Sequence, residues 1–410
     1  MSTPPRNFAW ERGPFNKCAK CGEDTFGFLS AGKRTITHRC SKCRYRIDDQ
    51  LPEVDKKILY FDQFAFSELF KIEAGTRRQD ELTDFWQELH RLVRRVVLLQ
   101  QAILPHSNIH SNETIVSPWP TELREAYEGI GGDLALLDTT SIQLQDIGEF
   151  ASAFIEEREP NLDFAVDRVL NGQRNEWLDD MRITVNADYS RFADGIREGR
   201  DDVDKSIEGL MEHWRAKGFG FDEVLEIESK AYLQCRQSAL LDFFQRSERA
   251  AQDGDIMSTI NLSMSPIVQE FSLLRHLFLK AGEEEENLVE RINQFWAWER
   301  NSEMPTGRIM AYLFAGLAGQ VAAGRKRPAT ASFMNDVNAI SAYAPYVDAM
   351  FVDKECATIL TQGRPAAELN YTARIFSLSS RDDLLSYLAE IEAAATNEVR
   401  EMANLIYGID

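Results

Sequence analysis

Two rhythms of apolar residues run along the chain. The continuous run Ile58-Leu59-Tyr60-Phe61 ends in Asp62 and predicts a buried parallel strand that delivers a carboxylate at its C-terminal edge. A helical period then takes over between Glu81 and Gln101, where Phe85, Leu89, Leu92, Val96 and Leu99 share one face. A short second strand is expected near Gln101–Leu104, followed by a break at Pro105-His106-Ser107 and a helix start in Ile109–Ser117 that holds Glu113. From about Gly148 to Arg325 the pattern is almost wholly helical, including the runs Phe221–Arg249 and Leu288–Glu299, with no fixed repeat.

The α/β rhythm returns at the C-terminal end. Asp336–Tyr343 predicts a helix, Asp348–Val352 and Ala373–Leu378 predict strands, and Asp382–Ile406 predicts one last amphipathic helix. The two α/β pieces are expected to share one sheet, because closing a long loop between them costs entropy only logarithmically. The apolar stretch from Ile309 is short for a membrane span and rich in small residues, which predicts a buried helix.

Cysteines change the picture at the start of the chain. Cys18-x2-Cys21 and Cys40-x2-Cys43, eighteen residues apart, have zinc-ribbon spacing: each knuckle aims two thiolates at one ion and a hairpin brings the pairs together. Four thiolates close the coordination shell, so the expected zinc is structural, and His38 is expected at the ribbon surface rather than on the metal. Cys235 and Cys356 read as buried small apolar residues. Around the ligands lie Lys17, Lys20, Lys33, Arg34, Arg39, Lys42, Arg44 and Arg46, which suit contact with nucleic acid or with a protein partner.

Charge then limits the partners. The chain of 410 residues carries a formal net charge of -20, which argues against coating duplex DNA through a general basic surface. Residues 1–50 hold ten Lys/Arg against five Asp/Glu, a net of +5, so the remainder carries -25. The start MSTPPRNFAWERG shows no apolar signal core, which makes a cytoplasmic protein without a membrane partner the expectation.

Asp62, Glu113, Asp336 and Asp353 each fall where a strand ends or a helix begins, so one sheet edge could gather them. Clustered carboxylates bind hard divalent ions such as Mg²⁺ or Mn²⁺, which support phosphodiester hydrolysis. The segments ILYFDQFAFSEL, ILPHSNIHSNET and NDVNAISAYAPYVDAMFVDKE resemble the elements of the PIN-like nuclease domain in order. That resemblance implies a parallel sheet flanked by helices, with Asp62, Glu113, Asp336 and Asp353 as catalytic metal-binding acids, Asp348 as a fifth candidate, and Ser67 supporting the first acid. It also implies cleavage of single-stranded RNA, with a toxin or phage-defence effector as a natural setting.

His106 and His110 flank the Glu113 segment and could orient a phosphate or serve as caps. Arg325-Lys326-Arg327 is a compact basic run just before Asp336 that could hold phosphates. The expected domains are a zinc ribbon at 1–50, a PIN-like domain in two parts at 51–155 and 330–410, and an all-helical insertion at 156–329 between them. The competing function is a non-catalytic zinc-ribbon protein whose ribbon or helical insertion binds nucleic acid or a protein.

Overall fold

A computed structural model describes residues 11–132, 134–178, 193–255, 262 and 265–409. Cys235 lies outside the described side chains. The chain starts with a four-stranded antiparallel sheet in the order β1 (Arg12–Lys17), β2 (Asp24–Ala31), β3 (Thr35–Cys40) and β4 (Arg46–Gln50). Each knuckle turns through a residue with left-handed backbone directly after its second cysteine, Gly22 at φ 76° and Arg44 at φ 63°. Their amides close the turns on the carbonyls of Cys18 and Cys40, at 2.8 and 3.0 Å.

After the ribbon come β5 (Lys57–Phe61), α1 (Gln63–Glu73), α2 (Thr83–Leu98), β6 (Ala102–Ile103), α3 (Asn108–Ile115), α4 (Pro120–Gly131), β7 (Ala135–Leu136) and α5 (Thr139–Ile155). Next are β8 (Leu170–Asn171), α6 (Ala193–Lys217), α7 (Phe221–Asp253), α8 (Pro266–Lys280), α9 (Leu288–Trp296), α10 (Pro305–Ala322) and α11 (Ala331–Tyr343). The chain ends with β9 (Ala349–Phe351), α12 (Lys354–Thr361), α13 (Gly363–Glu368), β10 (Arg374–Phe376), α14 (Arg381–Ala393) and α15 (Asn397–Tyr407). Among the described residues no helix is long and apolar enough to cross a membrane.

The central sheet is parallel, with strand order β10-β9-β5-β6. Both of its faces are covered, which explains the unbroken apolar run of β5. Ile58 and Tyr60 point into a core shared with α6, α10 and α11, whereas Leu59 and Phe61 point into a core built with α1, α2, α4 and α14. Full burial of each such side chain is worth about 1.5–3 kcal/mol, so this alternation fixes the strand register.

The helical segment between the two α/β pieces does not stand apart. Helices α6 and α10 form the layer over one sheet face, while α5, α8 and α9 enclose a satellite core around Phe278, Phe295 and Trp296. The many small residues of α10 have a packing reason: a methyl group added at Gly316 would stand 2.3 Å from Ile359 on α12. The expected last helix is two, because after α14 the hydroxyl of Thr396 accepts the amide of Val399 at 3.2 Å and starts α15 afresh.

The ribbon seats on α15. Phe28, Ile36, Leu51 and Val54 share a small core with Leu99, Trp177, Ala395, Val399 and Ala403. Trp177 Nε1 donates to the Pro52 carbonyl at 2.8 Å, and Arg12 donates to the carbonyls of Leu405 and Ile406. Leu51, Val54 and Leu99 precede β5 and β6, so the ribbon is docked at the edge where these parallel strands begin.

Candidate metal centres

In the ribbon, the four cysteine sulfurs lie within 4.8 Å of one another, with Cys18 Sγ 3.5 Å from Cys43 Sγ and Cys21 Sγ 3.7 Å from Cys40 Sγ. A tetrahedral zinc with arms of about 2.3 Å separates its sulfurs by roughly 3.8 Å, so the four thiols fit that ion. The Cys43 amide and the Thr25 hydroxyl approach Cys40 Sγ at 3.4 and 3.1 Å, the kind of donor contact that supports a thiolate. His38 sits on β3 with Nδ1 3.7 Å from Asp49 and is not among the clustered ligands.

Several of the basic residues around the knuckles make ion pairs within the protein. Lys33 pairs with Glu176, Arg39 and Arg44 with Glu11, Lys42 with Glu23, and Arg46 with Asp48.

The second cluster forms at the opposite edge of the parallel sheet, where the strands end. Strand β5 lies between β6, which follows it in sequence, and β9, which comes much later. The crevice between β5 and β9 is therefore the topological switch point, the place where open α/β sheets bind ligands. Asp62 and Asp353 flank it: Phe61 pairs with Phe351, and the Asp62 amide donates to the Phe351 carbonyl at 3.0 Å. Both acids also cap the helices that follow them, Asp62 accepting from the Gln63 amide at 2.6 Å and Asp353 from the Cys356 amide at 2.7 Å.

Asp336 comes from the middle of α11, five residues past its first residue rather than at a helix start, and is 7% exposed. Its carboxylate, that of Asp353 and the Cys356 sulfur offer ligand atoms within 4.8 Å of one another. Glu113 projects from α3, where Asn335 Nδ2 donates to it at 2.7 Å and Arg200 Nη2 stands 3.5 Å away. Arg200 belongs to α6, and Asp204 one turn further on accepts the amide of Ala331 at the start of α11. The helical segment thus helps to build this cluster.

Electrostatics tie the acids together. The Asp62 carboxyl is pushed up to about 7, first by burial and then by the Glu113 charge, with Asp353 adding to the rise and the Gln63 amide opposing it. Asp336 is held well above the usual carboxylate range by burial, then by Asp62, Asp353 and Glu113. Burial also raises Glu113, against the pull of Asn335 and Arg200. Such crowding keeps the acids partly protonated until a cation supplies the missing charge. Among the described residues the atoms within ligand distance of one another are those of Asp336, Asp353 and Cys356, whereas Asp62 and Glu113 stand outside that group and act on it through their charge. Carboxylates suit Mg²⁺ or Mn²⁺, and the buried thiol is held protonated, which makes it a poor ligand.

His110 has a structural role. It is 1% exposed, its Nδ1 accepts the Ser107 amide at 3.1 Å, and its Nε2 therefore donates to the Phe61 carbonyl at 2.7 Å. Burial drives its pKa down to about 3, so the ring is neutral and ties the start of α3 to the residue before Asp62. His106 forms a backbone bridge with Ala135.

Asp348 requires a correction. It precedes β9 rather than following it, and accepts from Lys57 Nζ at 2.9 Å and from the Ile58 amide at 2.8 Å. It sits where the strands begin, so the sheet separates it from the other four acids. Of the basic run, Arg325 reaches the Asp353 side, where it pairs with Glu355 and feels the Asp353 charge.

Ser67 lies on α1 and lines a groove of about 980 Å³ together with Asp62, Glu113 and Arg200. Asn335, Arg200 and Cys356 escaped the sequence reading. Asn335 adjoins Asp336, and Cys356 lies three residues after a capping acid, the spacing that returns a side chain to the cap.

No family model matches the chain, and neither the curated proteins nor the solved structures compared with it give a match.

Proposed function

We propose that the chain is a PIN-like, divalent-metal-dependent nuclease that hydrolyses phosphodiester bonds in single-stranded RNA. The observation that carries this reading is that Asp62 and Asp353 flank the switch point, with Asp336 within ligand distance of Asp353 and Glu113 sharing a groove with Asp62; burial raises Glu113, and burial with repulsion raises Asp62 and Asp336. Asp62, Asp336 and Asp353 would hold Mg²⁺ or Mn²⁺, with Glu113 completing the set. The ion supplies charge for the phosphate oxygens and lowers the pKa of water.

The protein groups hold that arrangement. His110 fixes the end of β5, Asn335 and Arg200 orient Glu113, and the Cys356 amide orients Asp353. With the acids occupied as ligands, hydrolysis goes by direct attack of water and no covalent enzyme intermediate is expected. The preference for RNA, the cytoplasmic setting and a role in growth inhibition or phage defence follow from the family resemblance alone.

The test is Mn²⁺-dependent cleavage of labelled single-stranded RNA and DNA by the full chain. Asp62→Asn and Asp353→Asn should abolish cleavage while leaving the circular dichroism spectrum unchanged. Cleavage that survives both substitutions would overturn the assignment.

The competing reading assigns the ribbon a partner of its own. That partner is nucleic acid or a protein, and deletion of residues 1–50 would separate partner binding from catalysis.

A further inference from the structure

The groove beside the acids holds an exposed indole that no packing requirement of the fold explains. Trp119 is 54% exposed, and among the described residues no ring or cation stacks on it. It lines the groove of about 980 Å³ together with Asp62, Glu113, Arg200, Lys71 and Arg78. Its position is fixed from both sides. Pro118 precedes it, Pro120 opens α4, and its amide donates to Ser117 Oγ at 3.2 Å. Pro120 keeps the Trp119 backbone out of the helical region and so places the indole at the start of α4, on the wall of the groove.

The charges in the groove differ in how firmly they are committed. Lys71 pairs with Glu68 at 2.6 Å and Arg200 stands beside Glu113, whereas the exposed Arg78 side chain has no ion pair among the described residues. An exposed aromatic face beside a free guanidinium, both bordering clustered acids, suits a ligand that alternates flat rings with anionic groups. Single-stranded nucleic acid has that composition, and its bases offer π-faces that a duplex keeps stacked inside. An apolar peptide would ask for a continuous apolar lining, but here Phe64, Phe70 and Val116 are interspersed with charged side chains.

We propose that Trp119 is a stacking platform for one base of a single-stranded nucleic acid, with Arg78 on the adjoining phosphate, and that this sets the strand's position over Asp62 and Glu113. The proposal rests on the nuclease reading of the acidic cluster. Trp119 is a positioning residue: it selects single strands and holds them without touching the reacting atoms.

Fluorescein-labelled single-stranded RNA and DNA, the same sequences as duplexes, and single strands carrying abasic sites serve as probes. Binding is read by anisotropy with the full chain carrying Asp62→Asn, so that cleavage does not intervene. Adding Trp119→Ala should weaken single-strand binding by roughly 5- to 150-fold, the range for loss of one stacked base. Trp119→Phe should restore most of the affinity. Duplex binding should not change, and fully abasic strands should not distinguish Trp119→Ala from its parent.

Equal affinity of Trp119→Ala and its parent for intact single strands overturns the platform and leaves the groove to a protein partner. So does an equal loss for intact and abasic strands. In the chain with Asp62 intact, Mn²⁺-dependent cleavage with a KM indifferent to Trp119→Ala sinks the platform while the nuclease reading survives. Trp119-dependent binding without any cleavage leaves the platform standing and sinks the nuclease.

Discussion

Replacing Asp62 with Asn should change how stability depends on pH in a direction set by the acidic cluster. Burial and the neighbouring Glu113 and Asp353 charges push the folded Asp62 carboxyl up to about 7, from an ordinary value of 3.8. In the absence of Mg²⁺ or Mn²⁺ its contribution is fully present below about pH 4 and is lost as pH rises through 7. The difference, 7 minus 3.8, is about 3 pH units, and at 1.36 kcal/mol each this gives about 4 kcal/mol. That figure is an upper bound, because the proton is shared among acids that titrate together. Only the part between pH 5 and 7, about 2.7 kcal/mol, falls within an assay from pH 5 to 8, so with a Tm response of about 1–2 °C per kcal/mol for a long chain, zinc-loaded protein without added Mn²⁺ should lose up to about 3–5 °C.

Mn²⁺ should reverse that loss, and more strongly at pH 8 than at pH 5, since only the ionised acids bind it. At a hundredfold excess over its dissociation constant the ion stabilises by about 2.7 kcal/mol. In Asp62→Asn the slope should flatten and the Mn²⁺ effect shrink. Differential scanning fluorimetry across this pH range, with and without Mn²⁺, measures all three quantities. A parent protein with the same Tm response to pH as Asp62→Asn, and no pH-dependent gain from Mn²⁺, would refute the electrostatic reasoning.

Other perturbations probe the parts separately. Asp348→Asn should leave Mn²⁺ affinity and any cleavage unchanged while costing about 1 kcal/mol in chemical denaturation, since it loses a charged acceptor for Lys57 and Ile58. His110→Ala should destabilise by about 2–4 kcal/mol, because it opens a cavity and strands the Ser107 amide and Phe61 carbonyl; Mn²⁺ titration should show weaker binding as Asp62 loses its anchor. Arg44→Gly relieves a left-handed backbone and should raise the unfolding free energy in chemical denaturation by about 0.5–1 kcal/mol, whereas a loss would show that its pairing with Glu11 dominates. Cys40→Ser should reduce bound zinc in elemental analysis and expose the apolar surface that the ribbon covers on α15.

The sequence was informative wherever a residue's chemistry depended on its immediate neighbours. The cysteine knuckles follow from spacing alone, and the strand ending in Asp62 is visible because parallel strands buried on both faces lose the polar alternation of exposed ones. Legibility failed where position depended on distant partners. Asp348 and Asp353 begin and end the same short apolar run, and only its parallel pairing with β5 shows that Asp353, not Asp348, shares the edge of Asp62.

The contributions of α6 could not be read from periodicity. Arg200 and Asp204 look like ordinary members of a charged helix until α3 and α11 are brought against them. The division of the last helix turned on one threonine whose capping hydroxyl competes with helical continuation, a choice that local propensity leaves nearly balanced.

The seating of the ribbon bears on how the molecule can be approached. A five-residue strand rises about 16 Å, so the ribbon docked beyond its foot and the carboxylates at its head are separated by at least that length. Something bound to the ribbon therefore leaves the mouth of the groove open, and a long ligand would have to travel around the sheet to touch both.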